Sequence, residues 1–219
     1  MAKKEQYVYQ FKITLQGSKP PIWRRIQVPE EYTFWDLHVV IQEVMGWEDC
    51  HLHSFEMVDS KTGRKIVFSD ESSDESSDES FEGINEIDLS PDFLKHLPIL
   101  SLEDNAYISS YFSLSNKNAT YEYDFGDGWR HKIILEKVLP VEPDVKYPRC
   151  LAGKRACPPE DCGGIWGYEE LLEIIKNPDH ESYEERMEWL GDDFNPEAFD
   201  SDAVRFSDPK KHLKIMAQE

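Results

Sequence analysis

A chain of 219 residues, 39% of them hydrophobic, has enough apolar side chain to bury a full core, and its length fits one compact domain. No basic stretch followed by an apolar run opens the chain and no run of about 18 apolar residues occurs, so neither signal peptide nor membrane span is expected, and a soluble cytoplasmic protein is. The net charge of -20 opposes phosphate backbones at long range, which leaves nucleic acid only a local basic surface to use.

The charge is uneven. Residues 69–82, "SDESSDESSDESFE", hold seven acids and no base, and residues 167–203 hold thirteen acids against Lys176 and Arg186. The first thirty residues instead carry Lys3, Lys4, Lys12, Lys19, Arg24 and Arg25 against Glu5 and Glu30. A positive N-terminal hairpin docked on negative C-terminal helices is one way this polarity is satisfied within a molecule.

In chain order, Tyr7, Tyr9, Phe11, Ile13 and Leu15 alternate with mostly polar neighbours, the period of a half-buried strand, and Ile22, Arg24, Ile26 and Val28 share one face of a second. The intervening "GSKPP" makes the pair a hairpin. Thr33 then stands as N-cap of a helix over 34–45, with Asp36 completing a capping box, Leu37, Val40, Ile41, Val44 and Met45 on its apolar face, and Gly46 as its stop. A strand at 51–58 follows. Hairpin, helix and strand in this order open the chain like a β-grasp arrangement. The Ser, Asp and Glu repeat at 69–82 has almost nothing to bury and reads as a disordered acidic loop. Ser90 and Pro91 begin a short helix over 90–97, and a strand with one helical turn is expected between 99 and 117.

Residues 120–139 alternate on both sides of Asp127-Gly128, which predicts a tight hairpin turned by that dipeptide. Next comes "CLAGKRACPPEDCGG", residues 150–164, with three of the four cysteines spaced C-x6-C-x4-C. Beyond it the pattern predicts helices at "GYEELLEIIKN" and at "ESYEERMEWLG", the latter capped by Asp179 or His180, and a third starting at Asn195 and Pro196. The fold class is therefore α+β. One domain contains a mixed or antiparallel sheet over 5–150, a Cys, Pro and Gly loop with a C-terminal helical subdomain over 151–206, and a tail at 207–219.

The strings "YVYQFKITLQGSKPPIWRRIQVP", "TFWDLHVVIQEVMGW", "YEYDFGDGWRHKIILE", "CLAGKRACPPEDCGGIWGYEELLEI" and "YEERMEWLGDDFNPEAFD" together resemble the Ri-plasmid ORF-3-like family, in order from about residue 5 to 200. Its members are labelled mobile-element passenger or resolvase-like proteins. The resemblance implies an association with mobile genetic elements and assigns no site residues. No serine-recombinase pattern accompanies it.

Three constellations carry chemistry. Cys150, Cys157 and Cys162 offer three thiolates to a tetrahedral zinc, with His131, His53 or Cys50 as the fourth ligand; the same cysteines also read as a reactive thiol or as small buried hydrophobes in a loop braced by Pro158, Pro159, Gly163 and Gly164. A disulfide drops out for a reducing compartment and so few cysteines. Asp124, Asp127 and His131 have the side chains of an acid-base or metal cluster. Lys12, Lys19, Trp23, Arg24 and Arg25 form a basic and aromatic hairpin suited to phosphates or single-stranded bases. The leading expectation is a non-enzymatic binding or accessory module that meets a protein partner or nucleic acid; the alternative is a metal-dependent enzyme, such as a hydrolase acting on nucleic acid.

Overall fold

The computed structural model describes residues 5–69, 98–191 and 194–211. The expected helix at 90–97, all but the first residue of the acidic loop and most of the tail lie outside them.

The alternating runs become β1 (Tyr7–Leu15) and β2 (Trp23–Pro29), paired antiparallel from Val8 opposite Pro29 to Thr14 opposite Trp23. Then come α1 (Phe34–Met45), β3 (His53–Val58), β4 (Lys65–Ser69), β5 (Ile99–Leu102), α2 (Ile108–Tyr111), β6 (Asn118–Tyr123), β7 (Trp129–Pro140), β8 (Arg149–Lys154), α3 (Gly164–Ile174) and α4 (Tyr183–Leu190). The strands form one eight-stranded sheet in the order β5-β4-β3-β6-β7-β1-β2-β8, antiparallel except where β4 meets β5. The fold class is thus α+β. The β-grasp likeness extends to element order alone, because β3 pairs with β6, and β6 and β7 stand between it and the opening hairpin.

Thr33 and Asp36 make the reciprocal capping box at the start of α1, and Gly46 ends the helix at φ 88°. Almost every residue of α1 is buried, so one covered face is not enough for it. One side meets the sheet: Phe34 stacks on Phe68 with ring centroids 3.8 Å apart and meets Phe55 edge-on at 5.2 Å. Elsewhere the helix is tied to the segment after α4. Trp35 Nε1 donates to the Pro209 carbonyl at 3.2 Å, and Ser207 N–H donates to Glu43 at 2.7 Å. Tyr168, Leu171 and Leu172 of α3 join the same core cluster as the sheet residues.

Four expectations change. The β6–β7 turn is a five-residue loop, 124–128, because Tyr123 pairs with Trp129 and Gly128 N–H closes back on the Asp124 carbonyl at 2.6 Å. The cysteine loop begins as a strand, β8, which pairs with β2 at the sheet edge. Helix α4 starts after Ser182, since Asp179 and His180 are spent in turns and His180 Nδ1 accepts the Ser182 N–H at 3.1 Å. No helix starts at Asn195: its Oδ1 accepts the Glu197 N–H at 3.0 Å, and Asp200 Oδ1 accepts the Asp202 N–H at 2.9 Å, so side chains close turns where a helix would need the backbone. No helix among the described residues is long and apolar enough to cross a membrane.

Candidate functional site: a groove beside helix α1 and the polar clusters near it

Asp124, Asp127 and His131 do not assemble. Asp124, at φ 54°, accepts the N–H groups of Gly126 and Asp127 on Oδ1 at 2.9 and 3.3 Å, and its Oδ2 faces His51 at 3.8 Å. Asp127 reaches elsewhere, accepting the Gly163 N–H on Oδ2 at 3.1 Å. His131 lies opposite Tyr121 in the β6–β7 ladder, fully buried, with Trp47 edge-on at 5.3 Å. Burial pulls its pKa down to about 3, against the weaker opposing pull of the backbone at Trp129 and Tyr121. A neutral imidazole facing Trp47 and Tyr121 is a core residue, not the acid-base partner of Asp124.

The thiols of Cys150, Cys157 and Cys162 are free, and their sulfurs do not converge with one another or with His131, His53 or Cys50 into a metal-holding group. Cys150 belongs to β8 opposite Ile26, with Sγ 3.7 Å from the Ala152 carbonyl, whereas Cys157 and Cys162 follow in the proline loop. Burial pushes all three thiols up, Cys162 to about 12 with Asp127 adding to the effect, which works against the thiolate a reactive cysteine needs. Bonds from distant elements hold the loop. Trp47 Nε1 donates to the Pro158 carbonyl at 3.0 Å, Tyr123 Oη donates to Glu160 at 2.7 Å, and Glu160 also accepts the Glu48 N–H at 3.0 Å. The "YDFGDGW" and "CPPEDCGG" strings thus meet at one end of the sheet.

The basic hairpin loses most of its footprint. Arg25 makes a two-pronged pair with Glu136 of β7 at 2.7 and 2.9 Å, and lies with Lys12 against the Trp23 ring. These charges are answered within the sheet; the acids of the C-terminal helices are not their partners. Arg24 is 1% exposed. Its Nε donates to the Val44 carbonyl at 2.7 Å, and Nη1 donates to the carbonyls of Trp23 and Lys154 at 3.0 and 3.2 Å. The ring of Phe199 covers the guanidinium at 3.8 Å.

Beneath the loop end lies a buried polar cluster that sequence reasoning missed apart from His53. His38 of α1 and His53 of β3 stack with ring centroids 3.4 Å apart and planes 4° from parallel. His38 Nε2 is 2.8 Å from Asp49, and its Nδ1 is 2.8 Å from the Tyr121 hydroxyl, which also accepts from Gln42. His53 Nε2 is 2.9 Å from both oxygens of Glu103. His38, Asp49 and His53 are close enough to surround a cation. The ring geometry argues otherwise: a metal must lie near the plane of each imidazole it bonds, and two rings stacked face to face have no such point in common. The arrangement is a carboxylate–imidazole sandwich that fastens α1 to the sheet. The signal was present in "WEDCHLH" and in His38 and Gln42 at i and i+4, though nothing local links them to Glu103.

Two further clusters lie nearer the surface on the same loops. His51 is 3.2 Å from Asp161 and 3.8 Å from Asp124; Cys50 Sγ is 3.6 Å from Glu160 beside Glu48. Lost hydration and Glu160 push the Cys50 thiol up.

Next to these, between the end of α1, the proline loop and the segment after α4, runs an open groove of about 520 Å³. Met45, Cys157, Pro159, Trp189, Phe194 and Val204 give it apolar walls, while Arg24, Glu43 and Asp200 supply its charged groups. Its size and mostly apolar lining with a few polar groups fall within the range of small-molecule sites, as do two other surface hollows of about 650 and 620 Å³. Gly153 shapes one wall, since a Cβ there would collide with the Phe199 ring and with Cδ of Arg24.

Comparison with known proteins agrees with this architecture. An uncharacterized protein, y4hQ, of Sinorhizobium fredii (strain NBRC 101917 / NGR234) is 33% identical over 210 residues, covering 96% of this chain and 92% of that one. The crystal structure of a protein of unknown function, MM3350 from Methanosarcina mazei Go1, is similar with a TM-score of 0.77 and 49% identity, over 93% of this chain and all of that one. The profile of the plasmid pRiA4b ORF-3-like proteins matches residues 7–203, and the chain belongs to that family.

Proposed function

We propose that the chain is a non-enzymatic binding module whose working surface is the groove beside α1. The observation that carries this reading is the contrast between an open groove of about 520 Å³ with apolar walls and a set of expected catalytic groups consumed elsewhere. Asp127 holds the cysteine loop, His131 sits buried in the core, and burial pushes the thiols up, away from the thiolate. The plasmid in the family's description supports an accessory role in mobile genetic elements. A metal-dependent hydrolase has less behind it, because Asp124, Asp127 and His131 point to three different places. Nucleic acid bound through the basic hairpin also has less support, with Arg24 buried and Arg25 paired.

The test is a titration of the full-length protein with the neutral fluorophore Nile red. One equivalent should bind, and Ala203→Trp, which fills the groove from its rim, should abolish the signal while circular dichroism stays that of the parent. Unchanged binding by the folded Trp variant sinks the reading. So does hydrolysis of bis-p-nitrophenyl phosphate with added Mg²⁺, Mn²⁺ or Zn²⁺ that disappears in Asp124→Asn.

A further inference from the structure

Arg24 is a charged side chain placed where charges are seldom left alone. A buried cation is ordinarily paired with an anion, because the cost of removing it from water is otherwise met only by neutral dipoles. Here the three acceptors are peptide carbonyls. One of them, Val44, sits in the last turn of α1, where the negative end of the helix dipole offsets part of the charge, by about half an elementary unit. The face of Phe199 adds a cation–π contact. No carboxylate among the described residues pairs with it, and its Nη2 donates to none of their atoms. Cys150 and Cys157 are near enough to act on its charge, yet burial pushes both thiols up, away from the charged form.

Arg24 is one of the residues that line the groove, and Phe199, which covers its guanidinium, is another. We infer that the groove takes a small molecule carrying a carboxylate on an apolar body, and that Arg24 receives the carboxylate. The inference rests on the reading of the groove as a binding surface and names what binds there. A guanidinium is matched to a carboxylate through paired N–H donors, and an anion in this position completes the charge balance that the described residues leave open. The aromatic and aliphatic walls, Trp189, Phe194 and Val204 among them, set the apolar body. Two acids also face the groove, and they narrow the class. Asp200 is exposed and accepts from Asp202 N–H, so solvent and that bond moderate its field. Glu43 accepts from Ser207 on Oε1, and its Oε2 is buried with no partner, which is the place for an N–H donor on the same ligand. A carboxylate with an apolar body meets the floor and walls; a donor group on it also satisfies Glu43.

Paired isosteres test this. The full-length protein, preloaded with Nile red, is titrated with 2-naphthoate and with its neutral counterpart 2-naphthamide. Naphthoate should displace the dye at a concentration about tenfold or more below that of the amide, the advantage expected of hydrogen bonds to a charged group in a partly dry site. Arg24→Met should bring the two competitors level. Since that variant also loses three carbonyl bonds, the Arg24 Nε–H resonance of the parent protein gives a second readout: it should shift with naphthoate and stay in place with naphthamide. Nile red binding with equal displacement by both competitors, or an unmoved Nε–H resonance at saturation, overturns the carboxylate inference and leaves the binding-module reading standing. Failure to bind Nile red or either competitor removes both.

Discussion

Burial pulls His131 to a pKa of about 3 against 6.5 in an exposed chain, so between those values the unfolded chain takes up a proton that the folded chain refuses. The sign follows directly. Stability from this residue is fully present above about pH 6.5 and is lost as the pH falls toward 3, with a slope of about 1.4 kcal/mol per pH unit for one proton. His131→Leu should remove that share of the acid slope, measured as urea unfolding at a series of pH values; an unchanged slope would mean that the residue is not buried neutral. Arg24 was legible in part. Alternation put it on the face of Ile22, Ile26 and Val28, which is the buried face, while its charge placed it among the expected phosphate contacts. The lack of a carboxylate beside it depends on β8 and on Phe199, and no local pattern discloses those.

At the scale of elements, the long alternating or amphipathic segments were readable because each carries its own signal. The Thr33 and Asp36 capping box, the hairpin of β1 and β2, and β7 fall into this group. Strand β4 has five residues with only Ile66 and Phe68 turned inward, too short for a period to show. Strand β8 has no apolar alternation, and its pairing is decided by β2, more than a hundred residues earlier. The start of α3 is likewise set from a distance. Gly164 has φ 66°, and a Cβ on it would collide with the Asp127 carbonyl, so the glycine is the condition for packing this helix against the β6–β7 loop. Gly164→Ala should therefore cost about 1–3 kcal/mol, the range for overpacking a fitted contact, read from the urea midpoint at unchanged slope. A loss below a few tenths would show that the loop and helix separate freely.

For the whole molecule, the net charge and its pairing decide what can approach. The total is -20, and of the hairpin cations in the expected phosphate surface, Arg24 is buried and Arg25 is matched to Glu136. Lys12 and Lys19 remain, too few to hold a polyanion against the long-range repulsion. The full-length chain should leave labelled single- and double-stranded oligonucleotides unshifted at about 0.15 M salt, where the field of exposed charges is screened within ~8 Å. Retention that persists as salt rises would instead require direct contacts to bases.

The strand order also has a consequence during synthesis. The opening hairpin leaves the ribosome with β1 and β2 joined to each other, yet β1 waits for β7 and β2 for β8, whose residues begin at Trp129 and Arg149. At roughly 5–20 residues per second, two hydrogen-bonding edges with an apolar face stay unmatched for on the order of 10 s. A nascent chain stalled before residue 129 therefore presents a ribbon whose two native neighbours have not been made, and the interval in which it is open to wrong pairing is written into the order of its strands.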